Sequence, residues 1–184
     1  MLSKSFDERQ HDHRQREVDR TNSQMKLLYM GKSFRDPRLS LINCSIVPST
    51  SICAGVEYMV VVHMRADDAL SRSTWRNTYG NPHLKDKYNY NLLFSVGRPS
   101  SLSDQKIIEE ESSRHGDILQ TDFEENYRNI TLKHLAELRY LASVCNERVV
   151  VIKMDDDVGW DVRQISAFIR NNLTSHDIYC TRFL

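Results

Sequence analysis

Val149-Val150-Val151-Ile152-Lys153-Met154-Asp155-Asp156-Asp157 is an apolar run ending in three adjacent carboxylates, and how it is read decides the fold. A short β-branched run has the pattern of a buried strand, which here delivers its acids to a sheet edge. Three neighbouring carboxylates repel one another, and a cation relieves that repulsion. Mg²⁺ and Mn²⁺ prefer such hard oxygen donors, and phosphate is their natural companion. An isolated triplet is also what a solvated acidic turn looks like, so the surrounding pattern has to separate the two readings.

Working outward, residues 126–144 place Tyr127, Ile130, Leu135, Leu138, Leu141 and Ala142 at the spacing of one buried helical face. After the triplet, Val162, Ile165, Phe168, Ile169 and Leu173 keep helical spacing, and residues 178–180 begin a further strand. Towards the amino terminus, 58–62 is an apolar strand, followed by a helix capped by Asp67 or Asp68 that stops at Gly80, Asn81 and Pro82. Residues 90–96 form a second strand, Asp104 is placed to cap a helix carrying Ile107 and Ile108, and 117–119 is a short extended piece. Strands alternating with helices predict an α/β fold with a largely parallel sheet, helices on both faces, and ligands at the carboxyl ends of the strands. The triplet lies at such an end.

Composition narrows the function. The chain has 184 residues, 40% of them hydrophobic, enough for one core of ordinary size. Its 25 basic and 25 acidic residues balance, which offers no electrostatic case for nucleic acid or an anionic membrane surface. No apolar window is long enough to span a bilayer, and the amino terminus is charged where a signal peptide would be apolar. Residues 1–50 read as a flexible polar stem and linker, loosely helical at most, with His11 and His13 solvated, and the folded domain is expected over 51–184. Cys44, Cys53, Cys145 and Cys180 lack the C-x-x-C spacing of a zinc site.

Several fold families present carboxylates at a strand end in this way, and two bear comparison. Phosphatases whose first Asp attacks phosphate match only partly, because Val158, Gly159 and Trp160 stand where a hydroxyl or small residue is expected. The wider pattern resembles the β-1,3-glycosyltransferases, which include galactosyl- and N-acetylglucosaminyltransferases. Tyr58-Met59-Val60-Val61-Val62-His63, Arg72 and Arg76-Asn77-Thr78-Tyr79-Gly80 are similar to that family's strand and Arg-x-x-x-Arg-x-(Thr/Ser)-Trp-Gly helix end, with Tyr79 in place of Trp. Glu111, Gly116-Asp117-Ile118-Leu119, Asp122-Phe123 and Tyr127-Arg128-Asn129-Ile130-Thr131-Leu132-Lys133 follow its most specific stretch. Lys153-Met154-Asp155-Asp156-Asp157-Val158 resembles its Lys-x-Asp-Asp-Asp-Val. The likeness covers the amino-terminal half of the family's catalytic domain. Gly159-Trp160-Asp161 departs from the usual Phe-Val-Asn and would reshape the wall behind a metal.

The resemblance implies a GT-A-like fold, incomplete at the carboxyl end, that binds a UDP-sugar donor with Mn²⁺ or Mg²⁺. Such an enzyme transfers galactose or N-acetylglucosamine, with inversion, in β-1,3 linkage to a glycoprotein or glycolipid glycan. It implies Asp157 as the direct metal ligand, Asp155 and Asp156 as holders of ribose and metal waters, and Arg72, Arg76 and Lys133 as partners of phosphate or of neighbouring carboxylates. Glu111 and Asp117 are expected to give structural support. The general base is expected beyond Leu184. Cys53 and Cys145 resemble a family pair and are expected to form a disulfide, while Cys44 has no evident partner. Residence as a single-pass type II protein of the Golgi membrane follows from the same likeness, with the anchor outside this sequence. Sequons at Asn43, Asn129 and Asn172 are compatible with a lumenal domain. An inactive nucleotide-sugar-binding relative or fragment is the main alternative, and a metal-dependent phosphatase a distant one.

Overall fold

In the computed structural model, residues 6–146, 148–174 and 178 are described. Strands β2 (Tyr58–His63), β3 (Tyr90–Arg98), β4 (Ile118–Glu124) and β5 (Val150–Asp155) run parallel, and β1 (Cys44–Ile46) joins antiparallel to β4. The sheet order is β1-β4-β3-β2-β5. All six residues of β2 are buried, and its pleat divides them between two cores. Tyr58, Val60 and Val62 pack with Trp75, Tyr90, Phe94, Ile108 and Val162, whereas Met59 and Val61 pack with Met25, Leu93, Leu119 and Tyr140. Helices therefore cover both faces. On one side lie α2 (Ala69–Thr78), α3 (Pro82–Tyr88), α4 (Leu102–His115) and α6 (Val162–Asn172); on the other lie α1 (Phe6–Leu27) and α5 (Ile130–Val144).

Local chemistry sets the helix ends. Asp68 caps α2 by accepting from the Ser71 amide. Pro82, expected only to stop α2, also opens α3, where its missing N–H costs nothing and Asn81 provides the cap. Ser101, not Asp104, caps α4; Asp104 instead occupies the first turn, where its charge suits the positive end of the helix dipole. Gly116 ends α4 at φ +65°, a left-handed conformation that a side chain would strain.

Three expectations need correction. Residues 1–50 are not all a flexible stem: α1 packs on α5, and Val18, Thr21 and Met25 recur along one buried stripe, Met25 being only 1% exposed. Asn22 then brackets the backbone of Cys44 on the outer edge of β1, accepting from its amide at 2.8 Å and donating to its carbonyl at 2.9 Å. A mostly charged composition hid that stripe, because three well-spaced residues suffice to dock a helix whose other faces are solvated. Second, β5 is not a fully buried strand. Among the described residues it pairs only with β2, and its residues alternate between half-buried and exposed. Third, α5 follows a 3₁₀ turn at Tyr127–Asn129, and Tyr127 and Leu138 of the expected apolar face are 87% and 52% exposed. Its buried face keeps Leu141 of the expected set and adds Leu132, Lys133, Ala136, Glu137, Arg139 and Tyr140. Most of the strand expected at 178–180 lies outside the described residues. No described helix is long and apolar enough to cross a membrane.

Candidate functional site

The parallel register puts Asp155, the last residue of β5, opposite His63 at the end of β2, which in turn lies opposite Ser95 of β3. Asp156 and Asp157 follow in a turn closed by the Val158 amide on the Asp155 carbonyl. Asp155 and Asp157 are exposed, and Asp156 is half-buried. Burial, then the charges of Asp68, Asp157 and Asp155, raise the Asp156 carboxyl above its ordinary range. Asp68, which the sequence marks only as a helix cap, thus brings a fourth negative charge to this end of the sheet.

No three His, Cys, Asp or Glu side chains among the described residues converge as a ready-made cation cage. Mg²⁺ and Mn²⁺ bound with phosphates take only one or two protein carboxylates, and phosphate oxygens and water complete the shell. An exposed Asp157 beside a charge-crowded Asp156 fits that sparse donor set. Two hollows lined by Ser45, Ser101 and Gln120 and by His11, Val18 and Ile46 lie towards β1, at the opposite edge of the sheet from the triplet.

The three candidate phosphate cations have other partners. Arg72 is 0% exposed and donates to Glu111 at 2.7 Å and to the carbonyls of Arg65 and Ala66 at 3.0 and 3.1 Å. Arg76 grips Asp117 through two bonds of 2.8 Å, reaches Glu111 at 3.2 Å and lies over the Phe94 ring. Lys133 donates to Glu125 at 2.7 Å and to the Met64 carbonyl at 2.9 Å. In this geometry the three cations hold carboxylates, and Arg72 and Lys133 pin carbonyls of the loop between β2 and α2. Glu111 and Asp117 are the carboxylates that Arg72 and Arg76 hold.

On the α5 side, directly behind the acidic strand, lies a cluster that sequence reasoning missed. His63 Nε2 faces a carboxylate oxygen of the buried Glu137, whose other oxygen is 3.4 Å from the Lys153 ammonium. Lys153 also meets His134 Nδ1 at 2.6 Å, and the two imidazole rings stack edge to face at 4.2 Å. Burial alone would raise the Glu137 carboxyl, but His63, Ser95 and Lys153 outweigh it and hold it below its ordinary range. Burial lowers Lys153, with Glu137 opposing, and it lowers His134, with the neighbouring positive charges adding to the effect. The available signals were His63 closing one apolar run and Lys153 interrupting another.

On the opposite face, α2 reaches the segment after the strand. Trp75 Nε1 donates to the Asp156 carbonyl at 3.1 Å, and the Tyr79 hydroxyl accepts from the Trp160 amide at 3.3 Å. Cys53 and Cys145 form the expected disulfide, with Cα atoms 5.3 Å apart, and Cys44 is buried and free.

Comparison with known proteins places this geometry. The Galactosyltransferase family model matches residues 70–183, from the start of α2 through the acidic strand and α6. Human beta-1,3-galactosyltransferase 5 is 31% identical over 114 residues, which is 61% of this chain and 36% of that protein. Human beta-1,3-galactosyltransferase 9 is 26% identical over 151 residues, 80% of this chain and 41% of its own length. Human N-acetyllactosaminide beta-1,3-N-acetylglucosaminyltransferase 3 is 30% identical over 116 residues, 61% and 31% respectively. The chain spans about a third to a half of the length of such relatives. With a family match over more than half its residues and a parallel sheet that ends in the acidic strand, the chain belongs to the galactosyltransferase family.

Proposed function

We propose that the chain is the donor-binding part of a UDP-sugar-dependent β-1,3-hexosyltransferase that acts on glycoprotein or glycolipid glycans with inversion at the anomeric carbon. The observation that carries this is the placement of Asp155, Asp156 and Asp157 at the carboxyl end of a parallel strand inside the family match. Asp157 would hold Mn²⁺ or Mg²⁺, with Asp155 and Asp156 toward the ribose and the metal's waters. When bound, the ion neutralises charge that grows on the diphosphate as it leaves. The protein's own contribution is positional. Lys133 and Arg72 pin the Met64, Arg65 and Ala66 carbonyls, so the loop after β2 is fixed beside the triplet. Galactosyl- and N-acetylglucosaminyltransferases are both named among the relatives, which supports galactose or N-acetylglucosamine as the transferred sugar. The Cys53–Cys145 disulfide supports an oxidising compartment such as the Golgi lumen.

The test is calorimetric titration of UDP, with and without Mn²⁺, into the chain and its Asp157→Asn variant, alongside a sugar-transfer assay. The amide is nearly isosteric but a poorer cation ligand, so metal-dependent affinity should fall about tenfold or more while folding is retained. Equal metal-dependent binding by the variant would remove Asp157 from the role. The expected outcome for these 184 residues alone is donor binding with little transfer, because they span a third to a half of the relatives' length. Efficient transfer would place the general base within the chain.

A further inference from the structure

We infer that Trp75 and Tyr79 are positioning residues that hold the acidic segment at both ends, an inference that rests on the donor-site reading above. Asp157 sits on an exposed stretch whose neighbours Val158 and Gly159 are also exposed. Two side-chain anchors bracket that stretch, at the carbonyl of Asp156 and the amide of Trp160, and both belong to one helix and its cap. Trp75 and Tyr79 are four residues apart, so they emerge on the same face of α2, and their rings touch at 4.9 Å.

The clamp is itself held rigid. The Tyr90 hydroxyl donates to the Tyr79 carbonyl, and Arg72 and Arg76 fasten α2 to Glu111 and Asp117. The Tyr79 and Trp160 rings pack 5.7 Å apart, and Trp160 also meets Tyr58 and Tyr90. Such a clamp has a repulsion to oppose, because Asp155, Asp156 and Asp157 place three carboxylates side by side in the chain. Held at both ends, the segment presents Asp157 in one place before the donor arrives, which lowers the ordering cost of binding.

Tyr79→Phe keeps the ring and removes the acceptor for the Trp160 amide. The expected result is faster hydrogen exchange at the Trp160 amide and a loss of about fivefold in Mn²⁺-dependent UDP affinity, the scale of one hydrogen bond. UDP affinity without Mn²⁺ should not change. Trp75→Phe should act likewise from the other anchor. Tyr29→Phe, which removes a hydroxyl bonded to the Ser40 carbonyl, serves as the control and should leave both readouts unmoved. The chain's two tryptophans are Trp75 and Trp160, so its intrinsic fluorescence should change when UDP and Mn²⁺ bind. Unchanged Trp160 exchange and unchanged metal-dependent affinity in Tyr79→Phe would overturn the inference, as would an equal loss with and without Mn²⁺. If the parent binds with metal and Asp157→Asn does not, such a result removes the clamp alone. A parent chain with no metal-dependent UDP binding would remove the donor site and the clamp together.

Discussion

Asp156 carries a raised carboxyl because burial and three neighbouring carboxylates all disfavour its charge. Without a cation, Asp156→Asn should therefore raise the unfolding midpoint, and saturating Mn²⁺ should stabilise the parent more than the variant; thermal melts with and without the ion measure both. The His63–Glu137–Lys153–His134 cluster sets an acid response. His134 titrates in the fold below its ordinary 6.5, so its contribution to stability is complete above that pH and declines as pH falls through 6.5 towards the folded value. Glu137 is depressed below its ordinary 4.5, so its share persists above that pH and disappears on passing down through the folded value. Urea midpoints measured against pH should fall first from about 6.5 and again below 4.5. His134→Gln, which retains an acceptor for Lys153, should flatten the upper step alone.

At the scale of elements, α1 and α5 departed furthest from sequence expectation. The solvated faces of α1 dominate its composition, yet Met25 is buried among Cys44, Cys53, Met59 and Tyr140. Met25→Ala should cost about 2–4 kcal/mol by denaturant unfolding, the usual range for truncating a buried Met. A flexible stem would lose almost nothing. For α5 the hydrophobic count found only part of the buried stripe, Leu141 among it, because it treats Lys133 and Glu137 as solvated. Both are buried, Lys133 against Glu125 and Glu137 against Lys153, partners that the periodicity of one helix does not reveal. The strands, by contrast, were legible: β2 and β3 follow the apolar runs closely, and the acidic triplet lies where the pattern puts it.

For the whole molecule, the Cys53–Cys145 bond closes a loop with a sequence separation of 92 and ties the segment before β2 to the end of α5. Replacing both with Ser should destabilise the fold by about 2–5 kcal/mol, measured by chemical unfolding of the oxidised parent against the double variant. Burial and then the charge of Asp122 push the Cys44 thiol up to about 12, so alkylation of the native protein should spare it and unfolding should expose it. The sequence by itself determined the alternation of strands and helices and the site of the triplet, because each is written in a short contiguous pattern, while family likeness supplied the cysteine pair. Only the tertiary structure decided that α1 belongs to the core, that Arg72, Arg76 and Lys133 turn inward to carboxylates and carbonyls, and that Tyr79 meets Trp160. Those outcomes depend on partners far along the chain, such as Glu111 for Arg72 across 39 residues and Trp160 for Tyr79 across 81, and a local pattern records a residue's type but not the partner the fold brings to it.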